Sequence, residues 1–210
     1  MSRLRYNRRQ AVEHLRASCP EMGRFVTACG PLKLRTASDT ELFAALSRAI
    51  VYQQLSGKAA ATIHGRFAAL FDEGVPTAAG TIGLEYEALR GAGLSNNKAL
   101  AVQDLAARSL DGSLPTARRT ARLNDEEVIE KLCQVRGIGP WTAQMYLMFN
   151  LGRPDVMPAT DLGVQKGVQA VYSLDSLPAP DQVLQQTAHP APYRSAASWY
   201  FWQAADTVLM

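Results

Sequence analysis

Leu132-Cys133-Gln134-Val135-Arg136-Gly137-Ile138-Gly139-Pro140-Trp141-Thr142-Ala143 is the most informative segment of the chain. Before it, Val128, Ile129, Leu132 and Val135 recur at helical spacing, and the pattern stops at Gly137. Gly-x-Gly lets a tight turn take positive φ twice at low steric cost. Pro140 suits a first helical position, where its missing N–H would have no partner along the helix. A second helix is expected from Trp141 to Leu151. The stretch therefore predicts helix, short hairpin, helix. The first amides of the second helix, set beside glycines, can hold a phosphate oxygen. Gly and Pro also punctuate ordinary helix–helix connections, so the residues alone leave both readings open.

Downstream stands Pro158-Ala159-Thr160-Asp161-Leu162-Gly163, followed by Val164, Val168 and Val171 at helical spacing. Asp161 thus falls at a helix start, where the dipole and the amides favour an ionised acid. Taken alone it reads as an N-cap or as an anionic site residue. The strings L-x-x-V-x-G-I-G-P-W-T-A and P-x-x-D-L-G, in that order, resemble the signature of the helix-hairpin-helix DNA glycosylase superfamily.

Working outward, helical segments are predicted over 7–17 and from Pro20 to near Gly30. Ser38-Asp39-Thr40-Glu41 offers helix-start chemistry before Leu42, Phe43, Leu46, Ala49 and Ile50. Ser56 with Gly57 opens the next helix. Gly74 to Gly83 reads as a loop, and Glu85 to Gly91 as a short helix. Ser95 is a cap candidate for a helix through Leu100, Leu105 and Leu110. Asp111 to Leu123 reads as a Pro/Arg-rich connector. Asn124-Asp125-Glu126-Glu127 caps the helix that delivers the hairpin. Asp181 to Ala188 and Tyr193 to Val208 complete the helices, the last carrying Trp199 and Trp202. No repeat or strand pattern appears. The expected fold is all-α: two helical lobes with an interlobe cleft, containing a helix-hairpin-helix motif. Residues 1–210 are read as a single domain. Its subdomains would be roughly 38–110 and 111–210, the N-terminal helices packing on the C-terminal lobe.

Within the superfamily, Ala49-Ile50-Val51-x-Gln53-Gln54-Leu55-Ser56 and Pro192-Tyr193-Arg194-Ser195-x-Ala197-x-Trp199-Tyr200-x-Trp202 resemble the 3-methyladenine DNA glycosylase II (alkylpurine DNA glycosylase) family. The likeness covers roughly residues 38–206. It implies a monofunctional hydrolase of the N-glycosidic bond, acting in base excision repair on duplex DNA that carries alkylated bases. Bifunctional relatives place a Schiff-base Lys after the hairpin; here that slot holds Trp141, and the four-Cys pattern of iron–sulfur members is missing. The resemblance makes Asp161 the catalytic acid beside the sugar of a flipped nucleotide. It makes Leu55 a minor-groove wedge, with Gln54 and Ser56 beside it. Lys98, in Gly93-Leu94-Ser95-x-x-Lys98, becomes a phosphate contact, as do Gly137, Ile138, Gly139 and Thr142 of the hairpin. An alkylated purine is cationic and leaves readily, so an aromatic pocket suits it. Trp141 is the first choice for its wall, then Met145 one turn on, then Tyr52, Tyr193 and Trp199. The family often carries an aromatic residue where Met145 stands and a Trp where Pro190 stands. The N-terminal β-rich domain of some relatives has no counterpart. The competing readings are a non-enzymatic module that binds damaged DNA, and a glycosylase for etheno or deaminated purines.

The bulk numbers restrict less. With 210 residues and 47% hydrophobic residues, the chain can bury a substantial core. A net charge of +3 is too mild to argue for nucleic acid alone, although Arg118, Arg119 and Arg122 cluster. Cys19, Cys29 and Cys133 have neither disulfide arithmetic nor zinc spacing, so reduced thiols, no metal and no cofactor are expected. No apolar run is long enough to span a bilayer. A monomer is expected, nucleoid-associated in a prokaryotic cytoplasm or nuclear in a eukaryote.

Overall fold

Side-chain caps decide where most of the helices begin. The structure, a computed structural model, describes residues 4–37 and 41–208. Among them there are thirteen α-helices and no strand. Asn7 accepts from the Arg9 and Gln10 amides to open α1 (Arg8–Ser18), and the Cys19 sulfur caps α2 (Pro20–Cys29). The cap chemistry expected at Ser38, Asp39 and Thr40 lies outside the described residues; α3 (Leu42–Tyr52) follows Glu41, which makes no side-chain cap bond. Ser56 caps α4 (Gly57–Ala68).

The stretch read as a loop over 74–83 contains a helix, α5 (Ala78–Ile82). Thr77 caps it through the Gly80 amide, and buried Thr81 bonds back to the Thr77 carbonyl. Five residues give too little periodicity to be seen in sequence. Next come α6 (Tyr86–Gly91) and α7 (Asn96–Leu110), the latter capped by Ser95. The connector over 111–123 folds one turn, α8 (Ala117–Thr120), capped by Thr116.

Asn124 and Glu127 form a reciprocal capping box at the start of α9 (Asp125–Leu132). This helix ends at Leu132, short of the expected stop at Gly137. Cys133 to Gly139 form the non-helical connection to the next helix. Val135 keeps the apolar spacing because it is buried as a turn residue, 2% exposed. Only Gly137 of the glycine pair takes positive φ, at 76°. Pro140 is the first residue of α10 (Pro140–Phe149), as its missing N–H favours. Asp161 opens α11 (Leu162–Tyr172); α12 (Pro180–Gln186) and α13 (Arg194–Val208) follow.

The chain divides into two compact units, with one boundary falling inside α10. One unit gathers the described residues up to 37 together with those from 147 onward. Its core joins Ala11, Leu15, Met22 and Val26 of α1 and α2 to Val164 and Val168 of α11 and Tyr200 and Phe201 of α13. Each of these large side chains contributes on the order of 2–3 kcal/mol on burial. The Tyr200 hydroxyl donates to the Gly30 carbonyl at 2.8 Å, tying the α2 end to α13. The other unit, residues 41–146, packs α3, α5 and α6 against α7, with α4 against α3. Leu46, Ile50, Val51, Val102 and Leu105 are buried there.

No described helix is long and apolar enough to cross a membrane. The three cysteines are free thiols, and burial pushes those of Cys29 and Cys133 up, away from thiolate reactivity.

Candidate functional site

One group of candidate residues lies in the unit built from the two ends of the chain. Residues 153–158 run along the start of α13. The Ser195 amide donates to the Pro154 carbonyl, the Val156 amide to Ser195 Oγ, and Ser198 Oγ to the Val156 carbonyl. Arg194 grips Asp155 with two bonds of 2.7 Å, the parallel fork that suits a guanidinium to a carboxylate. Burial alone would raise the Asp155 carboxyl, but the Arg194 hydrogen bonds and charge outweigh it and hold the group below its ordinary value. The chain then turns at Pro158, whose carbonyl accepts from the Asp161 amide at 2.9 Å.

Asp161 is half-buried and takes extended backbone geometry ahead of α11. Its Oδ1 accepts from the Val164 amide at 2.9 Å, which is ordinary N-cap chemistry. The same oxygen accepts from Trp202 Nε1 at 2.8 Å. The second bond is more than capping needs: a residue of α13 fixes the direction of the carboxylate. It forms because Gly163 carries no side chain. A Cβ there would stand 2.8 Å from Trp202 Cδ1 and 3.1 Å from Asp161 Oδ1. One turn on, a Cβ at Gly167 would lie 2.0 Å from the Phe201 carbonyl oxygen. Gly163 and Gly167 therefore let α11 and α13 touch, and the contact delivers the indole to the acid. The Trp202 ring also stacks on Phe149, centroids 5.9 Å apart.

Sequence reasoning did not include Trp202, Phe149 or Gly163 among the site residues. Trp199 and Trp202 are three apart on one helix, and only the packing shows which indole reaches the acid. Trp199 instead meets Tyr200 edge-on at 5.0 Å. Tyr193 packs against Tyr6 and His14 of the N-terminal segment, at 5.8 and 5.3 Å.

A separate group of candidate residues lies in the unit of residues 41–146. Trp141 is 41% exposed on the first turn of α10, with Met145 half-buried one turn on. Arg48 lays its guanidinium over the Tyr52 ring at 4.2 Å from the centroid, so one face of that ring already holds a cation. His64 meets the Tyr52 edge at 6.0 Å; burial and then Arg48 depress its pKa, which favours the neutral imidazole. In the hairpin, Gly137 and Gly139 are exposed, whereas Ile138 is 4% and Thr142 4% exposed. The Ile138 amide donates to the Val135 carbonyl, so this residue anchors the hairpin from inside. The first bond of α10 runs from the Ala143 amide to the Gly139 carbonyl, leaving the preceding amides outside the helical ladder.

Gln54 and Leu55 are exposed between α3 and α4, and Ser56 caps α4. Gln54 holds a positive φ of 54°, uncommon for a residue with a Cβ. Lys98 is half-buried in the first turn of α7. Its Nζ donates to the Val51 carbonyl at 2.8 Å and the Gln53 carbonyl at 2.7 Å. Gln53 was not singled out from the sequence, yet its Nε2 donates to the Gly137 carbonyl at 2.9 Å and to Thr142 Oγ1 at 3.2 Å.

Known proteins resemble this chain in sequence and in fold. Residues 47–192 fit the profile of the HhH-GPD superfamily base excision DNA repair protein family. The chain is 37% identical over 172 residues to DNA-3-methyladenine glycosylase 1 of Schizosaccharomyces pombe, covering 81% of this chain and 75% of that one. A solved structure of the Schizosaccharomyces pombe 3-methyladenine DNA glycosylase in complex with abasic DNA superposes with a TM-score of 0.85 at 36% identity. That match covers 92% of this chain and 95% of the other. A DNA-3-methyladenine glycosidase from Bacillus halodurans gives a TM-score of 0.85 at 32% identity, over 95% of this chain and 90% of that one. On sequence profile, relatives and fold together, this chain belongs to the HhH-GPD superfamily of base excision DNA repair proteins.

Proposed function

We propose that the chain is a monofunctional DNA glycosylase that flips alkylated purines of the 3-methyladenine and 7-methylguanine type out of duplex DNA and hydrolyses their N-glycosidic bond. The observation that carries this reading is the double anchoring of Asp161 Oδ1 by the Val164 amide and the Trp202 indole N–H. A protein that only bound distorted DNA would have no use for a carboxylate aimed by a second helix.

The chemistry follows from charge. Alkylation makes the purine cationic, so the C1′–N bond breaks with its electron pair passing to the base, which leaves neutral. Positive charge develops on the deoxyribose. A fixed carboxylate stabilises that charge without reorganising as it forms. Water adds to C1′ and loses a proton, leaving free base and an abasic sugar. The target is out of reach inside the duplex, hence the flip. Trp141 is the proposed pocket wall and Met145 its neighbour; Tyr52, already covered by Arg48, and Tyr193 and Trp199 are secondary candidates. Gln54, Leu55 and Ser56 would meet the minor groove, and Gly137, Gly139 and the start of α10 the backbone phosphates. Trp141 occupies the slot of the lyase lysine, so no Schiff base is expected and the strand should stay intact.

The test is a release assay on methylated duplex DNA. Free 3-methyladenine and 7-methylguanine should appear, with uncleaved abasic strands. Tight binding of that duplex with no base released would overturn the reading.

Trp202→Phe probes the anchoring directly. Phenylalanine keeps a ring to stack on Phe149 but removes the donor to Asp161. A hydrogen bond to a charged group is worth about 1.5 kcal/mol or more, so base release should slow about tenfold. Affinity for undamaged duplex should not move. Release within about twofold of wild type would show the bond to be idle.

A further inference from the structure

Lys98 sits in the first turn of α7, where Ser95 accepts from its own amide. A cation there opposes the macrodipole of its helix. A local rule broken in this way points to a tertiary need. The need is visible at the end of α3. The last carbonyls of a helix have no partner along it and carry partial negative charge. The Lys98 ammonium takes two carbonyls that straddle this end, Val51 at 2.8 Å and Gln53 at 2.7 Å. Burial depresses its pKa, as expected of an ammonium withdrawn from water.

Gln53 is held a second time. Its side-chain amide donates to the Gly137 carbonyl in the hairpin turn and to Thr142 Oγ1 in the first turn of α10. One residue therefore joins the exposed turn Gln54-Leu55-Ser56 to the hairpin, and Lys98 locks that residue's backbone. Gln54 follows directly, in a left-handed conformation that a non-glycine residue keeps only when its surroundings enforce it.

We propose that Lys98 and Gln53 are positioning residues that fix the exposed turn Gln54-Leu55-Ser56 to the hairpin as one rigid DNA-reading element, Lys98 acting through carbonyls rather than by touching phosphate. The inference rests on the proposed DNA-glycosylase reading. Filling the gap left by an extruded nucleotide requires a side chain held ready. Ordering the turn before binding removes an entropic loss that would otherwise fall on the complex. The hairpin grips sequence-independent backbone while the turn senses a gap, so their rigid linkage couples grip to recognition.

The experiment compares wild type, Lys98→Met and Gln53→Met. Affinities are measured for undamaged duplex and for duplex carrying a tetrahydrofuran abasic analogue, over a range of salt concentrations. Both variants should lose about tenfold in affinity for the abasic duplex and less than about twofold for undamaged duplex. The slope of log K against log salt should stay unchanged, because no phosphate contact has been removed. A direct phosphate contact from Lys98 would lower that slope by about one on mutation to Met and weaken both duplexes alike. That result would overturn the positioning role and leave the glycosylase reading standing. If wild type itself shows no preference for the abasic duplex, the DNA reading fails and this inference falls with it. Gln53→Met leaves the Lys98 bonds to carbonyl oxygens in place, so it carries the test should Lys98→Met melt below the assay temperature. Wild-type preference in a folded Gln53→Met protein would likewise sink the proposal.

Discussion

Asp161→Asn is expected to lower base release by a factor of about 10² to 10³ or more, while affinity for duplex DNA stays within about threefold. The magnitude is that of losing one preorganised electrostatic stabiliser in an active site. The substitution isolates charge from architecture. Asparagine is as good an N-cap as aspartate, and its oxygen can accept from both the Val164 amide and Trp202 Nε1. The turn at Pro158 and the start of α11 should therefore survive, and thermal stability should hardly change. Asp161→Ala would be a poorer test, since it also removes a cap worth about 1 kcal/mol. Single-turnover release of 7-methylguanine from methylated duplex, with binding measured in parallel, separates the two effects. Release by Asp161→Asn at the wild-type rate would take the carboxylate out of the mechanism.

Gly167→Ala should destabilise the protein by about 3 kcal/mol or more, lowering Tm by roughly 6–12 °C. Ordinary helix reasoning gives the opposite sign. Alanine is a better helix former than glycine by about 1 kcal/mol, and Gly167 lies inside α11. Packing reverses this. The added methyl would lie 2.0 Å from the Phe201 carbonyl oxygen and 2.4 Å from its carbon. These are backbone atoms, which cannot rotate aside as a flexible side chain can. The helices must part, and the contact that joins α11 to α13 in the core of this unit is loosened along its length. Trp202 rides on α13 beside Phe201, so the aim of the indole at Asp161 should suffer too. A calorimetric scan of the variant reads the effect. A Tm at or above that of wild type would show that α11 and α13 do not depend on this close approach.

Several elements were legible from local chemistry. Ser56, Ser95 and Asn124 cap the helices expected of them, because a cap is a bond between residues two or three apart. Pro140 begins α10 and Asp161 precedes α11 for equally local reasons. The spacing of Val128, Leu132 and Val135 announced burial correctly but not conformation. The stretch after Leu132 buries Val135 and Ile138 as turn residues, and helical periodicity cannot tell such a turn from one more turn of helix. The short helices α5 and α8 escaped for a related reason: one turn leaves no period to detect.

The role of Lys98 shows where such reading stops. Its string of neighbours resembles a phosphate contact, and in the fold its ammonium donates to the carbonyls of Val51 and Gln53, 47 and 45 positions away in the chain. Trp202 and Asp161 are 41 positions apart, and Gln53 and Thr142 89. The all-helical class, most helix starts, the hairpin and the acid at the head of α11 follow from neighbours within a turn or two, and local chemistry is enough to read them. Which indole meets that acid, which carbonyls Lys98 takes and which glutamine ties the exposed turn to the hairpin depend instead on residues far apart in the chain. The first is set by the close approach of α11 and α13 at Gly163 and Gly167, the others by the packing around the end of α3, and no periodicity along one chain encodes either.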